Sequence, residues 1–143
     1  MDHVPSEHDG RSALRDHAIE RAKLARAKHG PISASTIMRL LDDRDVVRYP
    51  TGVRFDASGL EAGEFAFAQP LGEHPREGFC LWVHPLLQER PEDLPLAIAY
   101  HIPAINYGDV AQPDDCEAFG AALLGLEIEA YYRRLCGIAD SLR

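Results

Sequence analysis

No apolar run in the 143-residue chain approaches the roughly 18 residues that a membrane-spanning helix needs. A basic segment followed by an apolar one, which would mark a secretory leader, is also missing. The three cysteines, Cys80, Cys116 and Cys136, form no Cys-x-x-Cys pair, and an odd number cannot be fully paired within one chain. We therefore expect a reduced, cytoplasmic protein without a membrane partner.

Basic residues are in the minority, with 15 Lys and Arg against 23 Asp and Glu for a net charge of -8. Nucleic-acid binding relies on Lys and Arg that neutralise phosphates, so we expect no nucleic-acid partner. The charge is uneven, because residues 1–31 carry +1 and the remaining 112 residues carry -9. Docking of a mildly basic N-terminal helix on an acidic body explains this as well as an external anion would.

The sequence motifs of common active sites are absent as well. The chain has no His-Glu-x-x-His or His-x-His, no Gly-x-Gly-x-x-Gly or Gly-Lys-Ser/Thr phosphate loop, and no Gly-x-Ser-x-Gly nucleophile elbow. Its composition, 45% hydrophobic and 27% charged, is ordinary for a globular protein. The sequence therefore predicts a folded domain and leaves any catalytic residues unknown.

The first part of the chain is predicted to be helical. Residues 1–11 are polar and give little periodic signal, and we interpret them as a flexible arm before a single domain over residues 12–143. Apolar residues at helical spacing, mostly alanine, predict a first helix from Ser12 to His29, where Gly30 and Pro31 stop it. A short second helix follows, with Ser33 or Ser35 as its N-cap.

A β region is predicted next. Residues 46–49 and 53–56 flank Pro50-Thr51-Gly52, which indicates a hairpin, and residues 64–68 and 79–84 have strand-like patterns. Because sequential strands joined by short turns tend to pair, we expect an antiparallel meander of three or four strands. One face would carry Phe65 and Phe67, and helices would cover it, since large apolar areas are rarely left exposed.

From about Pro91 the chain is again predicted to be helical. Leu94, Ile98 and Ile105 keep helical spacing, and we expect Pro103 to kink or end this helix at about residue 102. A strand over residues 96–101 is the alternative, because short apolar runs fit either structure.

Two amphipathic helices are predicted at the end of the sequence. Asp114 with Glu117 fits a capping box that opens a helix through Leu124, where Gly125 stops it. A last helix over residues 127–142 carries an apolar stripe. We thus predict a single α+β domain with N-terminal helices, an antiparallel meander and a helical C-terminal part, which forms a homodimer through its last helices.

The candidate site lies in residues 94–110, a strongly apolar run that nevertheless contains polar side chains. Polar groups among buried side chains must find partners or line a cavity. Small-molecule sites combine apolar walls with a few polar groups. We therefore predict a small-ligand site formed by Tyr100, His101, Asn106, Tyr107 and Asp109. The alternative is a helix-exit loop in which Asn106 and Asp109 satisfy free backbone groups.

A metal site is the second candidate. His84 and His101 each lie near the end of a predicted element, from which they would share a divalent metal such as zinc with Asp109 or Glu92. This site would make the protein a metal-dependent enzyme, with hydrolysis as the expected reaction. In the alternative, His101 is a hydrogen-bonded core residue and His84 is partly exposed at a strand end. A nucleophilic Cys80 would likewise need His101 to lower its pKa, and otherwise Cys80 is a core residue.

Overall fold

The structure, a computed structural model, describes residues 7–142. These residues form five α-helices and three strands, which confirms the α+β class with helices at both ends of the sequence. In chain order the elements are α1 (Glu7–His29), α2 (Ala34–Leu40), β1 (Thr51–Phe55), β2 (Ala66–Pro70), β3 (Phe79–Val83), α3 (Leu94–Tyr107), α4 (Pro113–Leu124) and α5 (Ile128–Ser141). No helix among the described residues is long and apolar enough to cross a membrane.

Helix α3 is the central element, with ten of its fourteen residues buried. It contacts β2, β3, α2, α4 and α5, so its apolar side chains are covered on several sides. The alternative of a strand over residues 96–101 is therefore wrong. Of the two outcomes expected at Pro103, an end of the helix at residue 102 is wrong, because the helix continues through Pro103 to Tyr107. An interior proline costs about 3 kcal/mol, whereas burial of Ile102 and Ile105 contributes about 1.5–3 kcal/mol each.

The sheet is mixed, with the strand order β1-β3-β2. Strand β2 pairs with β3 antiparallel, but β1 pairs with β3 parallel, so the predicted antiparallel meander is wrong. Residues 46–49 form no strand, and the hairpin predicted around Pro50-Thr51-Gly52 is absent from this segment. The Asn106 side chain explains this, because it already bonds the Val46 carbonyl and the Arg48 N–H. Those backbone groups are thus unavailable for a hairpin.

Within residues 7–142, helices cover one face of the sheet and leave the other uncovered. Ala66, Leu81 and Val83 point into the core and are buried. Phe67 lies on the opposite face and is 42% exposed. Phe65 precedes β2 and packs against the core. The prediction of a covered face carrying both phenylalanines is therefore wrong, because it is Ala66, between them, that faces inward.

Helix α1 packs on α4 through an alanine stripe. Ala18, Ala22 and Ala25 are buried there. Arg11 and Arg15 approach the buried carboxylate of Asp115, at 3.5 and 3.3 Å. This is the docking of a basic helix on an acidic body that the charge distribution suggested. The helix begins at Glu7, so it includes residues 7–11 of the predicted arm, and residues 1–6 lie outside the described part of the chain.

The ends of the short helices follow their local sequence, with one correction. Ser33 caps α2, and Gly125 ends α4 in the left-handed conformation, as predicted. Asp114 and Glu117 do not form the capping box at the start of α4, so this prediction is wrong. The Asp115 carboxylate instead accepts a 2.9 Å hydrogen bond from the Gln112 N–H, because the N-cap is Gln112, two residues before Asp114, and the helix begins at Pro113.

Candidate functional site

The predicted ligand-binding residues do not form one site, because they occupy two parts of α3 and the turn after it. Tyr100 and His101 lie in the middle of the helix, and Asn106 and Tyr107 lie at its end. Six helical residues span about 9 Å. The two groups are therefore covered by different elements and have different environments.

The Asn106 side chain forms hydrogen bonds with the backbone of the segment between α2 and β1. Its side-chain oxygen accepts from the Arg48 N–H at 2.8 Å, and its side-chain nitrogen donates to the Val46 carbonyl at 2.8 Å. The residue is only 2% exposed. This matches the alternative in which Asn106 satisfies free backbone groups, although the groups belong to a distant segment and not to the helix exit.

Tyr107 contacts α1, and Asp109 lies in the turn that follows α3. The Tyr107 hydroxyl is 2.6 Å from Nδ1 of His17, and the two rings meet edge to face. Burial raises the pKa of Tyr107 above its usual range. Asp109 is exposed in a short 3-10 turn after α3. At this end of α3, Tyr107 thus pairs with a side chain of α1.

The structure does not bring the predicted metal ligands His84, His101 and Asp109 together. His84 lies directly after β3, and its Nδ1 accepts a 3.2 Å hydrogen bond from the Leu86 N–H, which caps the turn Pro85–Glu89. Over residues 7–142, no three His, Cys, Asp or Glu side chains are placed to hold a metal ion. The metal-dependent enzyme therefore gains no geometric support.

Tyr100 opens onto a groove of about 190 Å³ that we call the aromatic groove. The groove lies where the segment before β2 and helices α3, α4 and α5 meet. Its lining residues are Phe65, Tyr100, Glu117, Tyr132, Leu135, Cys136 and Ala139. Of these residues, the sequence analysis named Tyr100 as a ligand residue and did not name the others. The i, i+4 spacing of Tyr132 and Cys136 on one helix face was the available signal.

Packing of the core decides which side chains reach the groove. Tyr131 is fully buried, and its hydroxyl donates to the Leu96 carbonyl at 2.7 Å. This ring fits because α4 carries Gly120 beside it, where a Cβ atom would overlap the phenol. With Tyr131 directed inward, its neighbour Tyr132 is turned outward and is 52% exposed.

Three rings form an edge-to-face cluster at the inner end of the groove. The centroid of Phe65 lies 6.0 Å from that of Tyr100 and 5.6 Å from that of His101. Tyr100 and His101 are 5.3 Å apart. Aromatic pairs in this geometry contribute about 0.5–1.5 kcal/mol beyond the area they bury. The cluster therefore fixes Phe65 and Tyr100 as walls of the groove.

His101 lies behind these two walls as a neutral imidazole. Burial lowers the pKa of His101 to about 4. Its Nε2 is buried and has no hydrogen-bond partner among the described residues. An unsatisfied buried polar atom costs about 1–3 kcal/mol. His101 is thus partly buried, with Nε2 in the interior and without the hydrogen bond at that atom that the sequence-based alternative assumed.

Burial, with a smaller contribution from nearby carboxylates, shifts the pKa values of groups at the groove. Burial raises the pKa of Tyr100 to about 12, and the negative charges of Glu117 and Asp114 add to this effect. The pKa of Glu117 is raised by partial burial and by Asp114. Burial also raises the pKa of the Cys116 thiol to about 12. The groove is thus a partly desolvated place in which added negative charge is unfavourable.

The uncovered face of the sheet is the other aromatic surface. The Arg54 guanidinium lies 5.6 Å from the Trp82 ring centroid, and Trp82 Nε1 donates to the Gln69 side chain at 2.9 Å. Gly59 packs against the carbon atoms of the Trp82 ring. Cys80 lies on this face and is half-buried. The indole N–H of Trp82 therefore has its hydrogen-bond partner in the Gln69 side chain.

Comparisons with protein-family models, with curated proteins and with solved structures found no match to this chain. The functional assignment therefore rests on the geometry of the site.

Proposed function

We propose that the protein is a binding domain that holds a small ligand in the aromatic groove. The observation that carries this proposal is the groove itself, a concave space of about 190 Å³ whose walls are mostly apolar. A dry apolar cavity of about 150 Å³ binds benzene. The groove therefore suits a group slightly larger than a benzene ring.

A few polar groups at the groove give such a ligand its orientation. The Glu117 carboxylate, the hydroxyls of Tyr100 and Tyr132 and the Cys136 thiol all belong to lining residues. Small-ligand sites typically combine apolar walls with a small number of polar groups. Shifted pKa values also cluster at functional sites, and those of Tyr100, Glu117 and Tyr132 are all raised.

A titration followed by backbone amide NMR tests the binding function. The panel contains four small compounds: phenol, cyclohexanol, choline and 3,3-dimethylbutan-1-ol. We expect at least one compound to cause saturable shifts at Phe65, Tyr100 and Tyr132. Ala139→Phe, which fills the groove, should abolish these shifts, whereas Ala27→Phe on the exposed side of α1 should not.

Two results would contradict the binding function. One is a panel that leaves the amides of the groove unshifted. The other is a set of shifts that persists unchanged in Ala139→Phe, because ligand binding would then lie outside the groove.

We propose that the protein acts in the cytoplasm, because Cys80, Cys116 and Cys136 are all free thiols, which suits a reducing compartment. Fractionation of the cells that produce the protein, followed by immunodetection, should find it in the cytoplasmic fraction. Recovery in another compartment would contradict this location.

The homodimer also stays a proposal. Most of the apolar stripe of α5 is used within the chain, because Tyr131, Leu135 and Ile138 are buried. Ile128 and Tyr132 remain about half exposed, at 50% and 52%, and support a contact through this helix. Light scattering at micromolar concentration tests the dimer, and a monomer there would contradict it.

A further inference from the structure

The walls of the aromatic groove consist of side chains that attract positive charge. Phe65, Tyr100 and Tyr132 contribute three aromatic rings, and Glu117 is the one carboxylate among the lining residues. The face of an aromatic ring carries partial negative charge and attracts a cation within about 6 Å of its centroid. The same residues therefore provide both rings and a counter-ion for a cationic group.

The charges around the groove favour a cation over an anion. Asp114 lies near Glu117 on α4, and its negative charge contributes to the raised pKa values of Tyr100 and Glu117. The positive charge of Arg15 acts in the opposite direction and lowers the pKa of Glu117. The Arg15 guanidinium, however, already lies 3.7 Å from Asp114 and 3.3 Å from Asp115. The lining residues, all within the described chain, include no Lys or Arg. An anion would find no basic partner among them.

The apolar part of the lining distinguishes between kinds of cation. Leu135 and Ala139 offer no hydrogen-bond acceptor in their side chains, and the Tyr132 hydroxyl already pairs with the Cys136 thiol. Among the lining residues, this leaves the Glu117 carboxylate and the Tyr100 hydroxyl as acceptors. A primary ammonium group carries three N–H donors that need partners. A methylated ammonium group instead presents apolar methyl groups around its charge, so it loses few hydrogen bonds on entering such a site.

We propose that the aromatic groove binds an organic cation with a tertiary or quaternary ammonium group. The rings of Phe65, Tyr100 and Tyr132 enclose the methyl groups, and Glu117 supplies the opposite charge. The volume of about 190 Å³ accommodates such a head group, with the remainder of the ligand directed to solvent. This inference rests on the binding function proposed above and names the chemical class of its ligand.

Choline and 3,3-dimethylbutan-1-ol provide the test, because they differ mainly in the replacement of the charged nitrogen by carbon. Both are titrated into the wild-type protein, with dissociation constants taken from amide shifts in the groove. We expect choline to bind about tenfold more tightly than the neutral alcohol. The preference should weaken at high ionic strength, because screening reduces the contribution of Glu117.

Two variants with matched controls locate the preference. Glu117→Gln should reduce the preference for choline severalfold, whereas Glu129→Gln, at an exposed position on α5, should leave it unchanged. Tyr132→Leu should weaken the binding of choline more than that of the alcohol, whereas Phe67→Leu on the uncovered sheet face should change the binding of neither compound. Circular dichroism checks that each variant is folded.

The possible outcomes separate this inference from the binding function. Equal affinity for the two compounds, or binding of phenol or cyclohexanol without choline, overturns the cation proposal and leaves the binding function standing. A preference that survives in Glu117→Gln and in Tyr132→Leu also overturns it. A panel that never shifts the groove overturns both proposals.

Discussion

Substitution of Gly120 by alanine tests how α4 and α5 are packed beside the aromatic groove. Gly120 is buried in α4, and a Cβ atom there would overlap the ring and the hydroxyl of Tyr131. Tyr131 cannot move aside freely, because it is fully buried and its hydroxyl is 2.7 Å from the Leu96 carbonyl. We therefore expect Gly120→Ala to destabilise the protein.

Two opposing contributions set the size of this effect. Alanine in place of glycine within a helix stabilises it by about 1 kcal/mol. Overpacking of a core costs about 1–3 kcal/mol, and displacement of Tyr131 weakens a buried hydrogen bond that contributes about 1 kcal/mol. The net expectation is a loss of about 1–3 kcal/mol in the free energy of unfolding. The melting temperature should fall by roughly 3–10 °C.

Gly137 provides the matched control, because it lies in α5 with no atom within 4 Å of the position of a Cβ. Gly137→Ala should stabilise the protein by about 0.5–1 kcal/mol. Urea denaturation followed by circular dichroism measures both variants. In a Tyr131→Leu background, Gly120→Ala should cost less, since the smaller side chain leaves room for the methyl group. If Gly120→Ala were as stable as the wild type, the packing described for Tyr131 would be refuted.

Three further predictions concern titratable groups. Lys28, 2.8 Å away, lowers the pKa of Asp43 to about 2. Stability of about 1 kcal/mol, allowing for solvent screening, should therefore be lost as the pH falls from about 4 to about 2, and Asp43→Asn should remove this loss in acid-denaturation curves. His101→Phe should stabilise the protein by about 1 kcal/mol at neutral pH, because it removes an unsatisfied buried nitrogen. It should also flatten the decline in stability between about pH 6.5 and pH 4, where the imidazole is protonated in the unfolded chain but not in the folded protein. Urea midpoints that depend on pH as those of the wild type do would contradict this. Iodoacetamide should modify Cys136 first and Cys116 last in the native protein, because Cys116 is buried with its pKa raised to about 12; early modification of Cys116 by mass spectrometry would contradict its burial.

The helices were predictable because their signals are local. The alanine spacing before Gly30 predicted most of α1, the Ser33 side chain predicted the start of α2, and Gly125 predicted the end of α4. Each of these signals depends on residues within a few positions of one another. Such patterns survive folding when tertiary contacts do not oppose them.

The sheet was less predictable, because its pairing depends on distant residues. Thr51 pairs with Phe79 in a parallel register, and no turn between neighbouring strands signals such a contact. Residues 46–49 have a strand-like composition but form no strand, because the Asn106 side chain takes their backbone groups. A contact between residues 60 positions apart thus overrode a local preference.

The same distinction explains what was found of the site. Polar side chains in an apolar helix predicted a ligand site on α3, but the element that covers each side chain decides its environment. Asn106 is covered by residues 46–48, and its side chain bonds their backbone. Tyr100 instead faces the gap between Phe65 and α5, where it lines the groove. The sequence contains no local signal for that gap.

A single glycine decides which of two adjacent tyrosines enters the core. The apolar stripe of the last helix fits Tyr131 or Tyr132 equally well by spacing. Space beside Gly120 admits the ring of Tyr131, and this choice turns Tyr132 outward into the groove. Gly120→Ala should therefore weaken the proposed ligand binding together with stability, whereas Gly137→Ala should affect neither the groove nor this binding. A Gly120→Ala protein that is destabilised but binds choline as the wild type does would show that the groove does not depend on this packing.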